Sequence, residues 1–246
     1  DDDPNFLINY AGLLTGTSQN TQARNILRDA ILKKQNQSEN TYLKLLYILI
    51  YLKKDFRSAL GFVVDAVKKY PKSKHLTLLQ TYIYFLQKKF DKAWQSIKDY
   101  QPVKKHEYRL KSIVAYQNKL LKKSIDILES AYILYSDDVD FLINLLSLYI
   151  KGKDYKKARF WIDFYHKRHQ SDQFSLWMFY IYLQEKNIDK AFEMAQKISK
   201  SNIKKPFHFY YNYGKLLEKK YRYDEAMYYY EKCKELSPEF PYPYIA

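Results

Sequence analysis

The sequence predicts an all-α, right-handed solenoid of about seven antiparallel helix pairs. Three observations carry that expectation. A small residue returns at near-constant spacing: Ala23, Ala59, Ala93, Ser124, Ala158, Ala191 and Ala226 are separated by 36, 34, 31, 34, 33 and 35 residues. Apolar or small residues follow at helical offsets. Val63 and Ala66 lie four and seven positions after Ala59, and Tyr230 and Cys233 lie at the same offsets after Ala226, so each set shares one helix face. Pro71 and Pro238 then stand twelve positions after their alanines, where a helix has to stop. An array of this kind is built from units that pack mainly on their neighbours, and it needs no central core.

The turn within each pair is also punctuated. Lys54-Asp55-Phe56, Lys89-Phe90-Asp91, Lys153-Asp154-Tyr155, Asn187-Ile188-Asp189 and Arg222-Tyr223-Asp224 precede the small residues. An Asp there caps the second helix or complements its positive N-terminal dipole. The large apolar neighbour fits the turn between two antiparallel helices.

The last repeat is the fullest: Tyr210, Tyr213-Gly214 and Leu217, then Tyr223-Asp224-Glu225-Ala226, Tyr230, Cys233 and Pro238. On these residues the sequence resembles the tetratricopeptide repeat family. The resemblance runs from about Asp3 to Ser237 and implies a single solenoid over 1–246. Its repeats are expected near 4–39, 40–73, 74–104, 105–138, 139–171, 172–206 and 207–240, with 241–246 a tail or a further start. The family places a small residue in its first helix so that the paired helices approach. Gly214 fills that place, with Ala11, Thr81 and Ser112 as substitutes. Tyr47, Leu146 and Phe179 depart from the pattern, so their repeats are expected to pack more widely or to tilt.

Composition narrows the function. Only five glycines occur, which argues against a phosphate-cradling Gly-rich loop. No apolar run exceeds the eight residues of Leu45 to Leu52, too short to span a bilayer. A soluble protein of cytoplasm or periplasm is expected. The single cysteine, Cys233, allows no intramolecular disulfide and reads as a small packing residue. Tyrosine is abundant at 27 residues. Runs such as Tyr228-Tyr229-Tyr230 cannot all face inward on a helix, so part of the aromatic surface is exposed. The chain opens Asp1-Asp2-Asp3-Pro4 without an initiator methionine, and Tyr242-Pro243-Tyr244-Ile245-Ala246 resembles the start of another repeat. A piece of a longer protein is the expectation, and a Pro-rich tail over the last hairpin is the alternative.

Net charge is +15, which admits acidic proteins, nucleic acid or anionic lipid as partners. Lysine outnumbers arginine five to one, whereas dedicated phosphate readers favour arginine. Lys, Asn, Ile, Tyr and Phe are all abundant, as A/T-rich codons produce. The charge therefore reads first as composition.

No catalytic motif stands out, and the chain is expected not to be an enzyme. The histidines are His75, His106, His166, His169 and His208. His166 and His169 share a helix face, but a metal site there needs more ligands, so neither a metal nor another cofactor is expected. Asn36-Gln37-Ser38 fits a glycosylation acceptor, a triplet common by chance.

The resemblance also implies a binding surface, because the family's first helices line a concave groove. In that register Lys44, Ile48 and Tyr51 face inward, followed by His75, Leu78, Tyr82 and Phe85, then His106, Arg109, Ile113 and Tyr116, and later Leu176, Tyr180 and Leu183. Such a groove is aromatic with basic points and suits a peptide with apolar anchors and some negative charge. A chaperone-tail receptor is argued against: Ile48 and Leu79 stand where the family's carboxylate clamp has asparagines, and Ile113 follows Arg109. The leading expectation is a non-enzymatic scaffold or adaptor that binds a protein or peptide within a larger assembly. Two alternatives stay open: a nucleic-acid-binding repeat protein, and the regulatory domain of a longer, enzyme-containing chain. Lysines scattered through both helices of each pair argue against the first of these.

Overall fold

A computed structural model describes residues 4–33, 37–169 and 174–239. Asn36 of the acceptor triplet and the 241–246 tail lie outside the described residues. Fourteen α-helices and no strand occur among those described. They are α1 Pro4–Gly16, α2 Asn20–Leu32, α3 Glu39–Tyr47, α4 Phe56–Lys69, α5 Lys74–Leu86, α6 Phe90–Ile97 and α7 Lys105–Gln117. The series continues with α8 Leu121–Leu134, α9 Val139–Lys151, α10 Tyr155–His169, α11 Ser175–Gln184, α12 Ile188–Lys200, α13 Phe207–Lys219 and α14 Tyr223–Leu236. A π-helical turn, Ile48–Leu52, extends α3.

Five of the helices, α3, α4, α5, α10 and α12, start where short polar side chains satisfy free backbone amides. Ser38 and Ser73 hydroxyls accept from the N–H groups of Thr41 and Leu76. Asp55, Asp154 and Asn187 do the same at α4, α10 and α12, accepting from Ser58, Lys157 and Lys190. Asp91, Asp189 and Asp224 instead sit inside the first turns of α6, α12 and α14, where they complement the dipole without capping. Seven first helices end alike, with one non-glycine residue at positive φ: Ser18, Lys54, Lys88, Lys119, Lys153, Lys186 and Tyr221, at φ from 52 to 63°. At Lys88, for example, the Lys88 N–H donates to Phe85 O and the Lys89 N–H to Tyr84 O. These are the paired bonds of a Schellman end.

The described residues form two compact units, 1–141 and 142–246. The first has a core of Leu27, Tyr42, Leu45, Leu49, Val63 and Leu76, with a second cluster around Trp94, Ile97 and Val114. In the second unit Phe179, Ala195, Ile198, Phe209 and Leu217 pack together. All seven periodic small residues are fully buried, because each lies where a second helix crosses its first. Ser124 is tolerated there because its hydroxyl donates to Ser112 O at 2.9 Å and meets Ser112 Oγ at 2.9 Å. At Gly214 the approach is closest: a Cβ added there would lie 2.6 Å from Tyr230 Cε1.

The three departures behave differently. Leu146 and Phe179 are buried at their interfaces. Tyr47 is 50% exposed, and the π-turn is the reason. The Lys53 N–H reaches five residues back to Ile48 O at 2.9 Å, a widened turn that rotates the end of the helix. Tyr47 faces solvent, while its neighbours Leu46 and Ile48 are buried at 0% and 2% exposed. Ile48, expected to face the groove, is a core residue that also lines the cleft described below.

Candidate functional site

The π-turn leaves three tyrosines together on α3, its extension and α5. Tyr47 and Tyr51 have ring centroids 5.3 Å apart, and Tyr51 stacks on Tyr82 at 6.4 Å with planes 18° apart. Tyr47 and Tyr51 are each about half exposed, at 50% and 51%, and Tyr82 is half-buried. Partial burial, then the neighbouring Tyr82 and Tyr47, pushes the Tyr51 hydroxyl above its ordinary pKa. Tyr51 therefore presents a neutral hydroxyl donor at the edge of an aromatic surface.

Beside them, between α1 and α3, lies an apolar cleft of about 310 Å³. Ala11, Gly12, Leu27, Leu43, Tyr47 and Ile48 are among the residues lining it. Lys44 closes one side, its Nζ donating to Ile8 O at 3.1 Å. Gly12 lines the other side, and a Cβ there would make only an ordinary contact, 3.5 Å from Lys44 Nζ. The cleft is small and apolar with one cation at its wall, a shape that accepts an apolar side chain next to an acidic group.

The other expected groove residues are placed as follows. His75 on α5 and His106 on α7 are exposed. Phe85 packs against Phe90 at 5.8 Å, so it helps to hold α5 on α6. Arg109 is committed within its own unit. It forms ion pairs with Asp138 at 3.0 Å and Asp140 at 3.1 Å, and its guanidinium lies 5.0 Å over the Phe141 ring. Burial raises the Asp138 carboxyl, but the Lys105 hydrogen bond and the Arg109 charge outweigh it and hold the pKa below the usual carboxylate range. Tyr116 is half-buried on α7. Tyr180, in the second unit, packs on Phe179 at 5.2 Å, and burial pushes its hydroxyl up to about 12.

Lys44, Tyr51 and Tyr82 are thus brought to one face of the first unit, while Phe85 and Arg109 are engaged in packing. Tyr47 and Gly12 belong to that face and were not among the expected binding residues. The signal for Tyr47 was present in its four-residue spacing from Tyr51. Among the described residues no group of three or more His, Cys, Asp or Glu side chains is placed to hold a metal. None of the described helices is long and apolar enough to cross a membrane.

No family model matches the chain, and no curated protein matches it in sequence. Its three-dimensional structure is similar to several solved structures. One is a tetratricopeptide repeat protein from Parabacteroides merdae, 13% identical, covering 96% of this chain and 94% of that one with a TM-score of 0.59. Another is MamA from Desulfovibrio magneticus, 14% identical, covering 70% of this chain and 99% of that one with a TM-score of 0.57. A third is a chain in the structure of Naa15/Naa10 bound to HypK-THB, 16% identical with a TM-score of 0.66. There the match covers 96% of this chain but only 37% of the other. The chain has the fold of tetratricopeptide repeats, as its periodic small residues led one to expect.

Proposed function

We propose that the chain is a non-enzymatic scaffold that binds a protein or peptide segment on the first-helix face of its N-terminal unit, as one part of a larger assembly. The observation that carries this reading is the exposed tyrosine cluster of Tyr47, Tyr51 and Tyr82 beside the apolar cleft at Lys44. Tyrosines offer large contact area with few rotatable bonds to order, which is why they dominate binding energetics at many interfaces. The cleft takes one apolar anchor, and Lys44 favours an acidic residue next to it. The net charge of +15 steers an acidic partner toward the whole chain. His75 and His106 supply further polar points, whereas Arg109, held by Asp138 and Asp140, contributes less. The Naa15/Naa10 complex, bound to HypK-THB, is an assembly of the kind envisaged.

Site-specific photo-cross-linking tests the placement. Peptides are first selected by display on the whole chain, then exposed to variants carrying benzoylphenylalanine in place of Tyr82 or of Met227, which is exposed on α14. Cross-linking at position 82 and not at 227 is expected. Equal cross-linking at both, or at 227 alone, would move the site off this face.

A further inference from the structure

The lysines are not evenly spread once the chain is folded. Of the seven positive-φ residues that end the first helices, five are lysine: Lys54, Lys88, Lys119, Lys153 and Lys186. That backbone conformation favours glycine or asparagine, and neither occupies any of the seven. Lysine is 35 of the 246 residues, so composition alone places one lysine in seven such positions. The excess at the hairpin tips is therefore not explained by base composition.

In the first unit two consecutive tips enclose a cleft of about 500 Å³. Lys88, Lys89 and Lys92 line it from the α5–α6 turn, and Lys119 from the α7–α8 turn. Gln117 and Asn118 add amides, Phe90 gives an apolar floor, and Asp91 is the one carboxylate in the lining. None of the four ammonium groups makes an ion pair or a side-chain hydrogen bond with the described residues. Four lysines thus line the cleft against one carboxylate.

The same register in the sixth and seventh repeats is an internal control. Asn187 stands for Lys89 and Tyr221 for Lys119. Lys220, in place of Asn118, donates to Asp189 at 2.6 Å, and Lys190 lies over the Tyr182 ring at 5.8 Å. There the carboxylate is neutralised from within and half of the cleft lysines are missing. The unpaired cluster of the third and fourth repeats is thus absent from the sixth and seventh.

We infer that the Lys88/Lys89/Lys92/Lys119 cleft binds a compact anion carrying two or more phosphate groups, such as a phosphorylated ring. Lysines act on phosphate as mobile point charges. Several of them converging on one ligand are needed, because each exposed charge alone contributes little. The Phe90 floor suits the ring face of such a ligand, and a volume of about 500 Å³ falls in the range of small-molecule sites. The ligand is either a free metabolite or a lipid headgroup, and the chemistry of recognition is the same.

The test is calorimetric titration of the whole chain with inositol 1,4,5-trisphosphate at low and at physiological salt. Saturable binding that weakens with salt is expected. Lys89→Gln with Lys119→Gln should weaken it at least tenfold at unchanged helicity, while Lys186→Gln with Lys190→Gln should leave it within twofold. Equal loss in both double variants would overturn the inference, since binding would then follow total charge. No saturable binding of the trisphosphate would overturn it as well. So would a preference for single-stranded RNA that the trisphosphate does not compete away. Flotation with phosphatidylcholine vesicles containing phosphatidylinositol 4,5-bisphosphate identifies the source. Co-flotation competed by the soluble trisphosphate supports a headgroup ligand, and trisphosphate binding without co-flotation supports a free one.

Discussion

The second hairpin and the last occupy the same place in the repeat and resolve it in opposite ways. In α13–α14 the contact position is Gly214, and the Tyr230 ring fills the space a side chain would need. In α3–α4 the position is Tyr47, and the helix widens by a π-turn to turn that ring out. Both hairpins are then pinned similarly. Tyr230 donates to Glu218 Oε2 at 2.9 Å, and Tyr42 donates to Asp65. In the last hairpin the small residue is kept and the aromatic bulk is core; in the second it is lost and the bulk is exposed surface, whereas at Phe179 it is lost and the ring stays buried.

The largest expected effect comes from breaking the close approach. Gly214→Leu should destabilise the chain by roughly 1–3 kcal/mol through overpacking against Tyr230, read as a lowered denaturation midpoint. Tyr47→Leu, at the same register, should change stability by less than about 0.5 kcal/mol, as an exposed site does. Equal effects at the two positions would erase the distinction between the hairpins.

The pins are the next test. Burial first, then the bond to Asp65 and its charge, raises the Tyr42 hydroxyl well above its usual pKa of 10.0. Burial, then the bond to Glu218, does the same for Tyr230. Both groups have folded pKa values above the unfolded one. Their contribution is fully present below pH 10 and is lost as pH rises from there through the folded values. Tyr42→Phe or Tyr230→Phe should each cost about 1 kcal/mol at neutral pH. Each should also flatten the alkaline fall in stability, followed by circular dichroism from pH 8 to 12. An unchanged alkaline slope in both variants would mean that neither bond is a pin.

The smallest effect on stability should come from Tyr47→Ala, at less than about 0.5 kcal/mol. That change should nevertheless weaken binding of a peptide selected on the whole chain. If stability falls and binding does not, Tyr47 belongs to the packing and not to the site.

Much of the fold was legible because its determinants are local. The alanine period marks helix crossings, and Asp55, Asp154 and Asn187 cap the helices they precede. The site was legible only in part. Tyr51 and Tyr82 could be paired from the repeat register. The outward turn of Tyr47 goes with a π-turn that no local pattern encodes. Arg109 is taken by Asp138 and Asp140, 29 and 31 residues away, and sequence gives no sign of that pairing. The lysines at the hairpin tips were hidden for a related reason. The residue that takes positive φ is set by the bonds that close each helix, and in five turns it is a lysine where glycine is the usual choice.

The most direct test of the account is the affinity of a display-selected peptide for three forms of the chain: unaltered, Tyr51→Ala with Tyr82→Ala, and Tyr228→Ala. Tyr228 is as exposed as Tyr51 but lies on α14. The account predicts at least tenfold weaker binding for the Tyr51/Tyr82 pair, about 1.4 kcal/mol or more, with helicity unchanged and the Tyr228 variant within twofold of the unaltered chain. Unchanged affinity in the double variant, or an equal loss in the Tyr228 variant, would contradict it.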